Sequence, residues 1–159
     1  MIQLIMILSL SNNLVKAPSF TAYNIKGEKF YLDSLNLQHK DLIIVDFWAL
    51  FCRPCIKQME KANKFIDKYG EKVTYIAINE DGPMSQKRVR IFIKAKKFKF
   101  PVLLDLDGKI GREYGVTSLP TTFILDDSLR ILKVHYGFKT GDKKWFENTI
   151  EKYLNNKGK

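Results

Sequence analysis

Leu42-Ile43-Ile44-Val45-Asp46-Phe47-Trp48, then Ala49-Leu50, then Phe51-Cys52-Arg53-Pro54-Cys55, is the stretch on which the reading of this chain turns. The first seven residues are apolar except for Asp46. A run of that length with no polar alternation predicts a strand covered on both faces, in the middle of a sheet. Two residues separate the only two cysteines of the 159-residue chain. A helix pattern begins at Arg53-Pro54 and ends at Gly70, so Cys52 falls at the helix start. Free N–H groups and the helix dipole favour a thiolate there. A thiolate attacks disulfides, and a second thiol one turn on can resolve the mixed disulfide. Two other readings are open at this point: a pair of buried free thiols, or half of a metal site. A four-ligand zinc site needs two more ligands. His39 and His135 are the only histidines, and they are far apart in sequence.

The chain resembles the thioredoxin superfamily on four segments. Val45-Asp46-Phe47-Trp48-Ala49 with Cys52-x-Pro54-Cys55 is similar to the active-site strand and turn. Gly115-Val116-Thr117-Ser118-Leu119-Pro120-Thr121-Thr122-Phe123-Ile124 is similar to the segment that holds a cis-proline opposite the dithiol. Ala17-Pro18-Ser19-Phe20 with Asn24-Ile25-Lys26-Gly27-Glu28 looks like the opening hairpin of the envelope-type, TlpA/ResA-like branch. Phe100-Pro101-Val102-Leu103-Leu104-Asp105 with Gly108 looks like that branch's insertion. The likeness covers about residues 17 to 154. It implies a thiol–disulfide oxidoreductase that reduces disulfides in client proteins and is recharged by an upstream thiol donor. It also implies catalytic roles for Cys52, Cys55 and Asp46, the acid serving the resolving thiol. It implies that Pro120 and the backbone of Leu119 and Thr121 hold the client chain by strand-like contacts; Phe51, Arg53 and Trp48 are the further client-binding candidates, with Trp48 also readable as core. No cofactor or metal is implied, and a monomer is expected.

The chain departs from the pattern in places. Phe51 stands where thioredoxins usually carry a second tryptophan. Gln58 and Glu60 stand where many envelope-branch members have an acid and a proline, which weakens any transfer of a role in cytochrome c maturation. Residues 17–35 also resemble the opening of peroxiredoxins, so a thiol peroxidase is an alternative. Peroxiredoxins, however, need a threonine where this chain has Ala49. A thiol-dependent chaperone or copper-binding module is the alternative outside enzymes, and no histidine lies near the dithiol in sequence to support it.

Composition agrees with one enzyme-sized domain. A chain of this length buries about two thirds of its unfolded surface, and 45% hydrophobic with 13% aromatic residues supplies a core without disulfide staples. The element pattern reads as a hairpin (Phe20–Asn24, Glu28–Leu32), the strand Leu42–Trp48, a helix Pro54–Tyr69 and a strand Val73–Asn79. A helix Ser85–Phe98, an extended piece Pro101–Asp105, a short helix Gly111–Tyr114, a hairpin (Thr121–Asp126, Arg130–Tyr136) and a helix Asp142–Tyr153 follow. That order predicts an α/β fold, a mixed central sheet in three layers, with residues 155–159 as a frayed tail. Glu80 and Asp81, just after the strand Val73–Asn79, read as solvated surface acids, with a place near the active-site edge as the alternative.

Residues 1–16 form a separate segment. Ile2–Leu10 is apolar but too short to cross a bilayer. It looks like a signal-peptide core with a small-residue site at Val15-Lys16-Ala17. Against that, no Lys or Arg precedes it and Pro18 follows the site directly, so an extra packed strand is the alternative. Export to the cell envelope is the expectation, with a cytoplasmic location as the alternative. The net charge is +10, concentrated in Lys87, Arg88, Arg90, Lys94, Lys96, Lys97 and Lys99. These residues read as a solvated helix face, with attraction to an acidic partner or an anionic membrane surface as the functional alternative. No nucleic-acid-binding motif accompanies them.

Overall fold

The structure, a computed structural model, describes residues 14–35, 41–138 and 144–157. Its strands are β1 (Thr21–Asn24), β2 (Lys29–Tyr31), β3 (Leu42–Trp48), β4 (Val73–Asn79), β5 (Val102–Leu104), β6 (Thr121–Asp126) and β7 (Ile131–Tyr136). Its helices are α1 (Arg53–Tyr69), α2 (Gln86–Lys96), α3 (Lys109–Glu113) and α4 (Trp145–Lys157). The strands form one sheet in the order β2-β1-β5-β4-β3-β6-β7.

All seven residues of β3 are buried, as its unbroken apolar run requires. β3 runs parallel to β4 and antiparallel to β6. The parallel pair is joined through α1, because parallel strands need a crossover connection. Gly70 ends α1 with a φ of 55°, a conformation glycine adopts without strain.

Alternation along β3 sends its side chains into two separate cores. Ile43, Val45 and Phe47 pack with Ile76, Ile78, Phe123, Ile110 and Tyr114 on one face. Leu42, Ile44 and Trp48 pack on the other face, against Cys55, Met59 and Phe65 of α1, Val89 of α2 and Phe146 and Ile150 of α4. Asp46 has the same parity as Ile44 and Trp48, so it points beneath α1. The fold is the three-layer mixed α/β arrangement expected from the sequence.

The differences lie at element ends. α4 runs through Lys157, so residues 155–157 are helical rather than frayed. Leu154 packs on the core and Tyr153 donates to the Leu132 carbonyl at 3.2 Å, and both contacts carry the helix onward. α3 starts at Lys109, and α2 ends at Lys96 where Lys97 turns left-handed. At the N-terminal side, the Ile131 amide donates to the Val15 carbonyl and the Ala17 amide to the Leu129 carbonyl, both at 2.8 Å. The cleavage position read at Ala17 therefore falls inside a paired stretch, while Ile2–Leu10 lies outside the described residues. No helix among the described residues is long and apolar enough to cross a membrane. The basic run on α2 is not a uniform cationic face: Lys96 pairs with Glu60 at 2.5 Å, Lys99 pairs with Asp67, and Arg90 donates to the Ile25 carbonyl.

Candidate active site

The dithiol sits where β3 ends and α1 begins. Cys52 is the N-cap of α1, and its sulfur accepts the Cys55 amide at 3.2 Å. This bond places one of the free amides of the first helical turn on Cys52 sulfur, an arrangement that favours a thiolate once the pair is reduced. In the structure the two cysteines are joined as a disulfide, with Cα atoms 5.3 Å apart. Cys52 retains 6% of its surface in solvent and Cys55 none. The outer sulfur can meet another molecule, whereas the inner one can reach only the outer.

A cleft of about 580 Å³ opens beside Cys52. Phe51, Cys52 and Pro54 line it from the helix start, Val116 to Leu119 from the segment before β6, and Glu80 from the end of β4. The Leu119–Pro120 peptide bond is cis. Phe51 is 79% exposed, an aromatic ring held at the rim. The other expected client-binding residues are placed differently. Arg53 is exposed but does not line the cleft. Thr121 is buried inside the sheet, in register with Phe47 and Tyr136, and its hydroxyl donates to the Ser118 carbonyl at 2.7 Å. Pro120 is buried too, leaving Leu119 as the member of this trio that borders the cleft. Trp48 is fully buried against Phe92, with ring centroids 5.6 Å apart, and is a core residue rather than a client contact. Strand parity places it on the face covered by α1 and α2, in the core that also holds Cys52 and Cys55, where burial and not orientation keeps it from the cleft.

Asp46 lies fully buried in a polar cluster under α1. Its Oδ1 accepts Gln58 Nε2 and the Thr122 hydroxyl, both at 2.9 Å, and its Oδ2 accepts the Tyr75 hydroxyl. Gln58 Nε2 also reaches Thr122 Oγ1 at 2.8 Å. Burial pushes the Asp46 carboxyl from its ordinary 3.8 up to about 6, and the three hydrogen bonds pull it back only in part. Gln58 sits one turn beyond Cys55 on the same buried helix face, so this cluster extends beneath the dithiol. Tyr75 and Thr122 were not singled out in the sequence, where Tyr75 reads as an ordinary aromatic in a strand.

Glu80 and Asp81 are not solvated surface acids. Asp81 is buried, and its Oδ2 accepts the Leu50 amide at 2.8 Å and Asn79 Nδ2 at 2.7 Å, which pins the loop that leads to Cys52. Glu80 is half-buried, and its amide donates to the Trp48 carbonyl at 2.8 Å. Burial and the neighbouring Asp105 carboxyl raise Glu80 from 4.5 to about 8, against a smaller opposite pull from Arg112. The register of β4 against β3, Trp48 opposite Asn79, is what brings both acids to the active-site edge. Among the described residues no group of three or more His, Cys, Asp or Glu is placed to hold a metal ion. His135 stacks on Trp145 with centroids 3.7 Å apart, and His39 lies outside the described residues.

A family model described as the AhpC/TSA family matches residues 15–134. The chain belongs to that family. Within it, this AhpC/TSA protein is 34% identical over 137 residues to the thioredoxin-like protein YneN of Bacillus subtilis, a match spanning 86% of this chain and 77% of YneN. It is 32% identical over 140 residues to the thiol-disulfide oxidoreductase ResA of Bacillus thuringiensis subsp. konkukian, spanning 87% of this chain and 75% of ResA. A Chlorobium tepidum crystal structure, assigned as the thiol:disulfide interchange protein DsbE, superposes with a TM-score of 0.78 at 29% identity, over 89% of this chain and 96% of that one. The fold is thioredoxin-like, as the sequence resemblance implied, and the protein is a thiol–disulfide oxidoreductase like its ResA relatives, with Cys52 and Cys55 as its redox pair.

Proposed function

We propose that this protein is a reductant of client-protein disulfides, with Cys52 as nucleophile and Cys55 as resolving thiol. The observation that carries the reading is the asymmetry of the pair. Cys52 caps α1, accepts the Cys55 amide and borders the cleft, while Cys55 is sealed behind it. The Cys52 thiolate attacks a client disulfide and forms a mixed disulfide. Cys55 then attacks Cys52, the client leaves reduced, and the Cys52–Cys55 disulfide remains for an upstream thiol protein to reduce. Asp46 exchanges a proton with Cys55 as it becomes a thiolate, through the Gln58 cluster beneath the helix start. Phe51 and the chain at Ser118–Leu119 form the two banks between which the client segment lies. Residues 1–16 direct the domain to the cell envelope, a reading supported by the signal-like apolar run Ile2–Leu10 and by the resemblance to the envelope-type branch.

The test uses the Cys55→Ser variant, reduced and mixed with a peptide containing one intramolecular disulfide. Mass spectrometry should find a long-lived adduct on Cys52. A Cys52→Ser variant that forms the adduct through Cys55 would reverse the assignment.

A further inference from the structure

Glu80 is a carboxyl group that the exchange mechanism above leaves unused, yet it lines the same cleft as Cys52. It also borders an adjoining depression with Phe51, Asp81 and Arg88. Its Oε1 is buried without a hydrogen-bond partner. Its Oε2 rests against Gly111 of α3, where a Cβ would lie 2.6 Å away, so the carboxyl occupies a cradle that only glycine leaves open. Asp105 and Arg112 are the charged groups that act on it; the Asp105 carboxyl repels its ionised form and accepts a hydrogen bond from its protonated form, and Asp105 is itself held in place by the Gly111 amide at 2.8 Å. Asp46 cannot serve the client side, because Tyr75, Gln58 and Thr122 enclose it in the core.

We propose that Glu80 is the acid of the client-side step, handing its proton to the client sulfur that leaves when Cys52 attacks. This rests on the reading of the chain as a disulfide reductant. In the step, the Cys52 Sγ–client sulfur bond forms and the client S–S bond breaks. The expelled sulfur takes the Glu80 proton and departs as a thiol, leaving a Glu80 carboxylate that solvent reprotonates. The two electrons of the new bond come from the Cys52 thiolate, so no other oxidant or reductant enters. The acid keeps its proton up to about pH 8, close to the ordinary value of about 8.5 for an alkyl thiol, and a match of that kind is where proton transfer is most effective.

The experiment compares two disulfides with the reduced wild-type protein. The disulfide of N-acetylcysteine expels a basic alkyl thiolate that needs a proton. Dithiobis(nitrobenzoate) expels a stabilised aromatic thiolate that does not. The ratio of the two rates cancels the ionisation of Cys52. It should be flat from pH 6 to 7 and fall about tenfold as pH rises through 8 to 10. In Glu80→Gln the ratio should be about tenfold lower at pH 7 and independent of pH. A flat wild-type ratio, or equal losses with both disulfides in Glu80→Gln, overturns the role of Glu80. The wild-type profile stands alone should the variant not fold. Failure of the wild-type protein to reduce either disulfide would instead sink the reductant reading itself.

Discussion

Replacing Asp46 with asparagine should stabilise the fold at neutral pH and leave it unchanged or slightly weaker in acid. The group is fully buried, so solvent does not screen the effect. Its carboxyl binds its proton with a pKa of about 6 in the folded chain, against an ordinary 3.8. Below pH 4 both folded and unfolded chains hold the proton, and the group contributes nothing. Between pH 4 and 6 the unfolded chain ionises first, so stability falls as pH rises. Above pH 6 the penalty is complete, and at about 1.4 kcal/mol per pH unit it amounts to about 3 kcal/mol. Asparagine carries no such penalty. It keeps an oxygen for Gln58 and Thr122 and turns an amide toward the Tyr75 hydroxyl, and the rearranged bonds offset about 1 kcal/mol. The net gain at pH 7 is about 2 kcal/mol, or about 1 M in the urea midpoint for a chain of this size. Urea unfolding of the oxidised wild-type and variant proteins at pH 4, 5, 6, 7 and 8 reads it directly. Glu80 titrates in both proteins and cancels in the difference. A wild-type-to-variant gap that stays constant from pH 4 to 7 would refute the reasoning, because it would mean that Asp46 binds its proton no more tightly folded than unfolded.

Tyr75→Phe removes a hydroxyl that donates to Asp46 Oδ2, so the Asp46 carboxyl should titrate higher still. The pH midpoint of the stability curve should move up, with a loss of about 1–3 kcal/mol from the orphaned oxygen; an unmoved midpoint would show that Tyr75 does not tune it. Asp46→Asn should slow resolution of a Cys52 mixed disulfide more than its formation, seen by quenched-flow trapping between pH 6 and 9. Equal slowing of both steps would confine Asp46 to a structural role. Arg53→Gly should raise the Cys52 pKa and make the pair about 20 mV more reducing at low salt, with the difference shrinking as salt screens it. If neither quantity shifts, Arg53 acts only in client choice.

The parts of the fold that were legible in sequence are those where burial on two faces leaves an unbroken pattern. β3, β4 and β6 coincide with their expected ranges because each is an apolar run bounded by turn residues. Asp46 stood out for the same reason, as the one acid in such a run. Its partners did not, because Tyr75 lies 29 residues away and Thr122 76 residues away, and only the strand register brings them together. Glu80 was misread because an acid just after a strand is normally solvated. What buries it is a glycine in α3 and the Asp105 carboxyl, both contributed by the segment that follows β5. Trp48 shows the converse: a residue adjacent in sequence to the dithiol loop is sealed in the core under α1 and α2, with the cysteines above it, and has no surface left for a client. The end of α4 was placed early, at Tyr153, because the apolar face read from the sequence stops there, whereas Leu154 and Tyr153 anchor that turn on the core.

The central claim is tested most directly by mixing the fully reduced protein with an excess of insulin in one reaction and of hydrogen peroxide in another, then counting thiols. The account predicts that about one insulin disulfide is reduced per protein molecule, with Cys52 and Cys55 recovered as the intramolecular disulfide, and that peroxide is consumed far more slowly. Rapid peroxide consumption with insulin left intact would contradict it and make the protein a peroxidase.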